Sequence, residues 1–462
     1  KQSGAFSSGT GFTIGSKQQS TDQKTDATRV AKSTVGSTDG NVLLLAGETY
    51  RQVGSDVVAP KGDIDIAAKT VDIVEARETS RTVTEQKFKQ SGLTVSVSSP
   101  VITAVQTVQQ MSEAAADTKD GRMKALAAAN SGLAVKNAVG AVVAGQGTTI
   151  DGKEGQIPVL DESGKAIGSR DANAADQTGG IGINVSIGGS KSSSKTTQTS
   201  STAVASNLTA GQDITITASG AGKDSDITLQ GAKATAVKNL TLSAEDEIRL
   251  LAAANTTEQQ STNKSSSASV GVGFMVGGTQ NGFTLQAGVS GGQGKTNGSD
   301  TTWTNTHVEA GQTLTLESGG NTTLKGATAK GEQVIASIGG NLAIESLQDT
   351  STYNSRQKSQ GGSISLCIPP FCAGSAPVSG SVNASNSKIT SDYASVTEQS
   401  GLKAGDGGFQ VDVKGNAELK GGTITSTQAA IDNAKNSFQT GGELTLSDIQ
   451  NKADYKAKAA SI

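Results

Sequence analysis

The sequence predicts an all-β protein: a right-handed parallel β-helix with β-hairpin excursions and one small α-helical insertion. Three observations carry this. Short apolar–polar alternations recur along the chain, as in Leu240-Thr241-Leu242 and Leu444-Thr445-Leu446, so each short strand has one inward face. Glycine accounts for 58 of 462 residues, about 13% against a usual ~7%. Aromatic residues are only 3%, which suits a narrow lumen filled by Ala, Val, Ile, Leu and Thr.

Composition also limits function. Lys plus Arg is 39 and Asp plus Glu is 42, a net charge of −3. That balance argues against nucleic acid as the partner, which needs a basic face. One histidine, His307, rules out a His-based metal cluster and leaves a Ser-His-Asp triad one possible member. No cofactor is indicated. The chain begins at Lys1 with no basic–apolar leader and reads as an internal piece of a longer protein. The most apolar stretch, 132–145, is interrupted by Lys136 and Asn137, so no membrane-spanning helix is expected.

Internal repetition sets the organisation. Segments starting at Gly62, Asn239, Gly340 and Gly442 share the alternating pattern. Leu240, Leu342 and Leu444 are spaced by 102 residues at each step and read as equivalent. A second marker, Gln230-Gly231-Ala232, Lys325-Gly326-Ala327 and Lys420-Gly421-Gly422, is spaced by 95. Leu314 to Val334 is 20 residues, taken as one coil. About twelve coils at ~4.8 Å each would make a rod of roughly 60 Å.

Gly-rich alternating pairs lie between the coils: 3–16, 91–100 with 179–190, 269–278 with 282–292, and 361–370 with 376–385. These read as hairpins leaving the rod. The Ser/Thr/Lys runs beside them, such as 191–202, read as solvated strand or loop, or as a ligand-binding comb. Ile102, Val105, Val108 and Met111, then Met123, Leu126, Leu133 and Val139, recur at helical spacing around an Asp120-Gly121 turn. They predict a two-helix insertion with a polar tail, either a packed cap or a docking element for a partner or membrane. The expected divisions are a β-helix module with hairpin (1–100), the insertion (101–178), a β-helix module (179–265), and two hairpin-plus-β-helix modules (266–359 and 360–462).

The stretches 306–327 and 338–366, the polar runs leading into G-x-G hairpins as at 265–273, and the Lys119–Asn130 segment carry a family resemblance. The chain resembles the haemagglutinin-repeat (FHA-2-like) region of two-partner-secretion exoproteins, the filamentous haemagglutinins and the CdiA-type effectors of contact-dependent growth inhibition. The resemblance covers essentially the whole chain. It implies a secreted, cell-surface filament of a Gram-negative bacterium, exported through an outer-membrane transporter via the parent protein. It further implies a target-cell surface or outer membrane as partner, and a C-terminal toxin domain in the parent. The function expected is non-catalytic presentation or delivery of that toxin. An adhesin region binding receptors and an outer-membrane-active translocation segment are the alternatives. No NPNG-type export motif and no VENN boundary occurs in these residues.

Local chemistry adds one candidate pair. Cys367 and Cys372 flank Ile-Pro-Pro-Phe at a hairpin tip. In an exported protein a disulfide is the favoured reading, beside two free thiols or a metal or redox role. Trp303 and His307 share a strand-like segment with no spacing that suggests catalysis. The segment 288–296 looks like a phosphate loop but has Val289 where that motif requires glycine. Asp224/Asp226 and Glu245/Asp246/Glu247 are the dense acidic spots, at expected turns and without aromatic platforms, so carbohydrate cleavage is disfavoured. Gly405-Asp406-Gly407-Gly408 is isolated and forms no calcium-binding series.

Overall fold

A computed structural model describes residues 2–8, 11–98, 148–160, 165–172, 181–276, 280–374 and 378–461, together with positions 108, 135 and 139. The first coil comprises Thr34–Gly36, Val42–Leu45 and Thr49–Val53, and the second Asp56–Ala59, Ile64–Ala68 and Thr70–Val74. Each strand pairs in parallel with its counterpart one coil along. Ile66, Ile216, Leu242, Leu316, Ala336 and Val411 therefore stack in a column inside the rod. A second column on the opposing sheet runs Ile73, Leu229, Leu250, Leu324, Ile344 and Leu419. The two columns meet in one continuous apolar core. Each buried Ile or Leu contributes roughly 1.5–3 kcal/mol by leaving water, and the sum builds along the rod because coils touch only their neighbours.

The corners solve a hydrogen-bonding problem. Backbone N–H groups at a turn between sheets lose their ladder partners and must find others. Asn341 N–H donates to Asn321 Oδ1 at 2.9 Å, Asn416 N–H to Asn341 Oδ1 at 2.8 Å, and Glu443 N–H to Asn416 Oδ1 at 2.8 Å. At another corner the last strand of alternate coils ends on a glycine in the left-handed region: Gly54, Gly231, Gly326 and Gly421, with φ of 51, 53, 65 and 58°. Three of these are the 95-residue marker.

At the same corner the intervening coils leave the rod. The chain departs after Val74, Leu251 and Glu345 and returns at Ser206, Thr306 and Ser400. Each returning hydroxyl donates to the carbonyl at the point of departure: Ser206 to Val74 at 2.7 Å, Thr306 to Leu251 at 2.6 Å, and Ser400 to Glu345 at 2.8 Å. All three residues are buried. A repeated clamp thus closes the base of each excursion.

The excursions do not splay. Their strands, Gln2–Ser8, Gly11–Thr28, Ala76–Ser98, Ile181–Val204, Ala253–Val276, Gln280–Thr304, Gln348–Gly374, Val378–Val396 and Lys452–Ser461, form one nine-stranded antiparallel sheet. The reason is dimensional. Two coils advance by two inter-strand spacings, about 9.6 Å, and one hairpin adds two strands at the same spacing. Every hairpin therefore arrives in pairing distance of the last.

Three expectations change. The eight-stranded sheet takes one strand from each coil, so the rod has eight coils rather than twelve, because the long side strands consume the remaining residues. At 4.8 Å per coil it is about 38 Å long. Leu240 is not equivalent to Leu342: it pairs with Leu314 in one sheet, whereas Leu342 pairs with Ala417 in the other. Alternation is the same on every rod face, so spacing alone cannot say which face a leucine lines. The tail of the insertion is a three-stranded antiparallel sheet, Thr148–Ile150, Lys153–Leu160 and Ala166–Asp171. Val108, Val135 and Val139 are helical, and the remaining positions of the two predicted helices lie outside the described residues.

Candidate functional site

The residues singled out for chemistry occupy separate places. Cys367 and Cys372 lie on the Gln348–Gly374 strand. Thr284 faces Cys367 and Gly282 faces Cys372, so the neighbouring strand advances two residues while this one advances five. The intervening Ile-Pro-Pro-Phe bulges out, as proline must, because it cannot donate to a ladder. Two positions along a strand are about 6–7 Å, within reach of a disulfide. No described cysteine is free, and Cys367 is disulfide-bonded.

His307 and Trp303 sit at the base of a hairpin. His307 Nε2 lies 3.1 Å from both Glu398 carboxylate oxygens, and Asn305 Nδ2 donates to Glu398 at 2.9 Å. Burial pushes the Glu398 carboxyl up, but Asn305 and His307 outweigh it and hold the group below its ordinary range. Trp303 Nε1 donates to the Gln348 carbonyl at 2.9 Å. These contacts tie the returning chain to the next excursion.

The acidic spots serve corners. Arg249 bridges Asp226 at 2.8 Å and Glu247 at 2.9 Å, joining adjacent coils. Glu245 accepts from the backbone N–H of Gly220 and Gly222, which holds its carboxyl low. Asp406 caps a kink, with its N–H on Glu332 and its carboxylate accepting from Thr427. The segment 288–296 is a strand of the side sheet, with no helix to follow it.

What the sequence did not show as one site is a face of that sheet. Strand alternation puts every second residue on one side, and the register aligns them across strands. Nearest the hairpin tips the rows are apolar: Phe12, Val95, Val185, Val272, Leu285, Leu366 and Val378 form one, and Ile14, Leu93, Ile187, Val270, Ala287 and Ile364 the next. Val272 is 48% exposed and Ile187 60%. On the same side, further from the tips, the rows are basic. Lys89 pairs with Lys191. Lys87, Ser193, Lys264, Gln293 and Lys358 align next. Then follow Asp22, Glu85, Lys195, Thr262, Lys295, Arg356, Lys388 and Lys458, acidic at one end and basic along the rest. Nearer the rod a row turns acidic, with Asp26, Glu258, Asp392 and Asp454 beside Arg81; Lys24 bridges Asp26, and Lys452 bridges Asp392 and Asp454.

The charge on this face is largely uncompensated. Lys87 pairs with Glu85 at 3.0 Å. Lys191, Lys264, Lys295, Arg356, Lys358, Lys388 and Lys458 have no ion pair among the described residues. A hollow of ≈ 490 Å³ lies among Lys191, Ser193, Lys264, Ser266 and Gln293. The reverse face is mostly Ser, Thr, Gln, Asn and Gly, with Phe88, Tyr353, Ile389, Tyr393 and Tyr455 among them, and is joined by hydroxyl pairs such as Thr196–Ser261 at 3.0 Å and Thr296–Ser355 at 3.0 Å. Among its described residues only Lys17, Glu78, Asp300 and Asp349 are charged. The alternation Lys191-x-Ser193-x-Lys195 was the legible signal: it places both lysines on one side.

A hemagglutinin-repeat family model matches residues 187–362. That match begins and ends within side-sheet strands and takes in four coils and the one whole hairpin between them. The chain is a haemagglutinin-repeat region of the filamentous haemagglutinin and CdiA type. "Toxin CdiA" of Escherichia coli is 38% identical over 98% of this chain and 14% of that protein. "Deoxyribonuclease CdiA" of Dickeya dadantii (strain 3937) is 35% identical over the full chain and 13% of that protein. A "Deoxyribonuclease CdiA" of Yersinia pseudotuberculosis is 37% identical over 98% of the chain and 39% of that protein. The haemagglutinin-repeat region thus spans only a minor part of the relatives it matches. No solved structure matches it. No helix among the described residues is long and apolar enough to cross a membrane.

Proposed function

We propose that this region is the non-catalytic rod of a contact-dependent growth inhibition exoprotein, held at the surface of a Gram-negative cell after export through an outer-membrane transporter. It presents its side sheet to the target-cell outer membrane and helps deliver a toxin carried C-terminally in the parent chain. The carrying observation is the locked period of two coils per hairpin. It ties the step of the side sheet to the step of the rod, and it puts the layered apolar and basic rows of every hairpin on the same side. The toxin and nuclease names of the relatives are consistent with this placement, and any such activity belongs to other parts of those proteins.

The test is an in-frame deletion of residues 1–462 from the parent, with target-cell binding and toxic effect scored separately. Retained binding with lost toxicity supports delivery after contact. Lost binding supports the second reading, an adhesin surface, which the exposed side sheet also favours. Unchanged binding and toxicity together overturn both.

A further inference from the structure

We propose that the layered face of the side sheet docks face-down on a membrane surface whose lipids carry net-anionic phosphate headgroups. The inference rests on the reading of this region as a membrane-contacting rod and adds the chemistry it recognises. Three features of the face point the same way. The apolar rows at the tips offer exposed side chains such as Val272, Leu285 and Ile187 to acyl chains. The basic rows follow on the same side: Ile187 to Lys191 is four residues, about 13 Å along the strand. A tilted sheet with its tips in the acyl boundary therefore sets Lys191, Lys264 and Lys358 at headgroup level. These cations lack acidic partners, and Ser193, Ser266 and Gln293 beside them can donate to phosphate oxygens in the adjoining hollow.

The reverse face fixes the mode. Its Ser, Thr, Asn and Gln side chains reach the tips, where Thr13 pairs with Thr94 at 2.8 Å. Burying both faces in hydrocarbon would strand those groups, and an open sheet edge is not tolerated there. One-sided docking at the interface satisfies both faces, as it does for amphipathic helices. A soluble polyanion matches the lysines but leaves the apolar rows in water, so the lipid surface is the better complement.

The test uses the 462-residue chain and flotation with phosphatidylcholine vesicles, with and without phosphatidylglycerol. Binding is expected to need the anionic lipid and to weaken as salt rises. Lys191→Gln/Lys264→Gln/Lys358→Gln should bind roughly 100-fold more weakly, at about fivefold per lysine, while the same three changes to Arg keep binding. Val272→Ser/Leu285→Ser should weaken vesicle binding but leave dextran sulfate binding alone. Equal flotation with both vesicle types overturns the proposal, as does wild-type binding by the Gln variant when its circular dichroism melt is unchanged. Binding to dextran sulfate without binding to vesicles overturns it in favour of a polyanion site. Vesicle docking is independent of toxicity: a chain that docks while its deletion leaves delivery intact would count against the functional reading alone.

Discussion

A methyl group added to Gly231 would stand 2.6 Å from the Ala253 methyl, one coil further along, where the chain leaves the rod. Gly326 meets Ala252, one coil back at the same departure, at 2.5 Å. The corner glycine thus does two things: it adopts positive φ, and it clears space for the departing hairpin.

Gly231→Ala is therefore expected to destabilise the rod by roughly 2–4 kcal/mol, from left-handed strain and close contact together. Gly47→Ala is the control, since nothing lies within 4 Å of its added methyl, and it should change stability by less than about 0.5 kcal/mol. The urea midpoints of the two variants decide the point.

The hairpin clamp makes a second prediction. Ser400 Oγ donates to the Glu345 carbonyl and accepts from Ala327 N–H at 3.1 Å. Ser400→Ala leaves the buried Ala327 N–H unpaired, while the Glu345 carbonyl keeps the Gly326 N–H at 3.0 Å, and should destabilise by about 1–3 kcal/mol. Faster amide exchange at Ala327, with little change near Ile216, would locate the effect at the hairpin base. Uniform exchange along the rod would contradict it.

Charge ladders on the outside of the rod predict a pH dependence. Glu345 bridges Lys325 at 2.8 Å and Lys420 at 3.1 Å, linking three coils. Burial pushes its carboxyl up, but the two lysines outweigh that and leave it below the ordinary range. A carboxylate lowered on folding contributes stability above its unfolded pKa and loses it as pH falls through the folded value. Wild type should exceed Glu345→Gln by up to about 1 kcal/mol at neutral pH. The gap should shrink as pH falls below the ordinary carboxylate range, read as the difference between their urea midpoints.

We also propose that Cys367 pairs with Cys372, the one other cysteine in the chain. Alkylation of the unreduced, denatured chain should then label neither cysteine, and prior reduction should expose both to mass analysis. Replacing both with serine should cost about 2 kcal/mol at most, because so small a loop restricts the unfolded chain little. The loss should stay at the hairpin tip.

Much of this was legible in particular residues. Leu314 and Val334, 20 residues apart, do pair across one coil, and the glycines of the 95-residue marker share one corner. The layered face was half-legible. Lys191 and Lys195 fall on one side of any strand, whatever surrounds it. That Lys264 and Lys358 align beside them depends on hairpins separated by a coil pair, and no local pattern records that register. The net charge of −3 concealed the segregation entirely.

By itself, then, the sequence determined what is local: the alternation that gives each strand an inner face, the glycines that turn the corners, and the stretches that leave the rod. The tertiary structure decided what is collective: eight coils, the sheet to which each leucine belongs, and the merging of separate hairpins into one layered surface. The physical reason is the shared inter-strand spacing. A two-coil step along the rod equals two strands of a sheet, and that equality appears only when the coils are stacked.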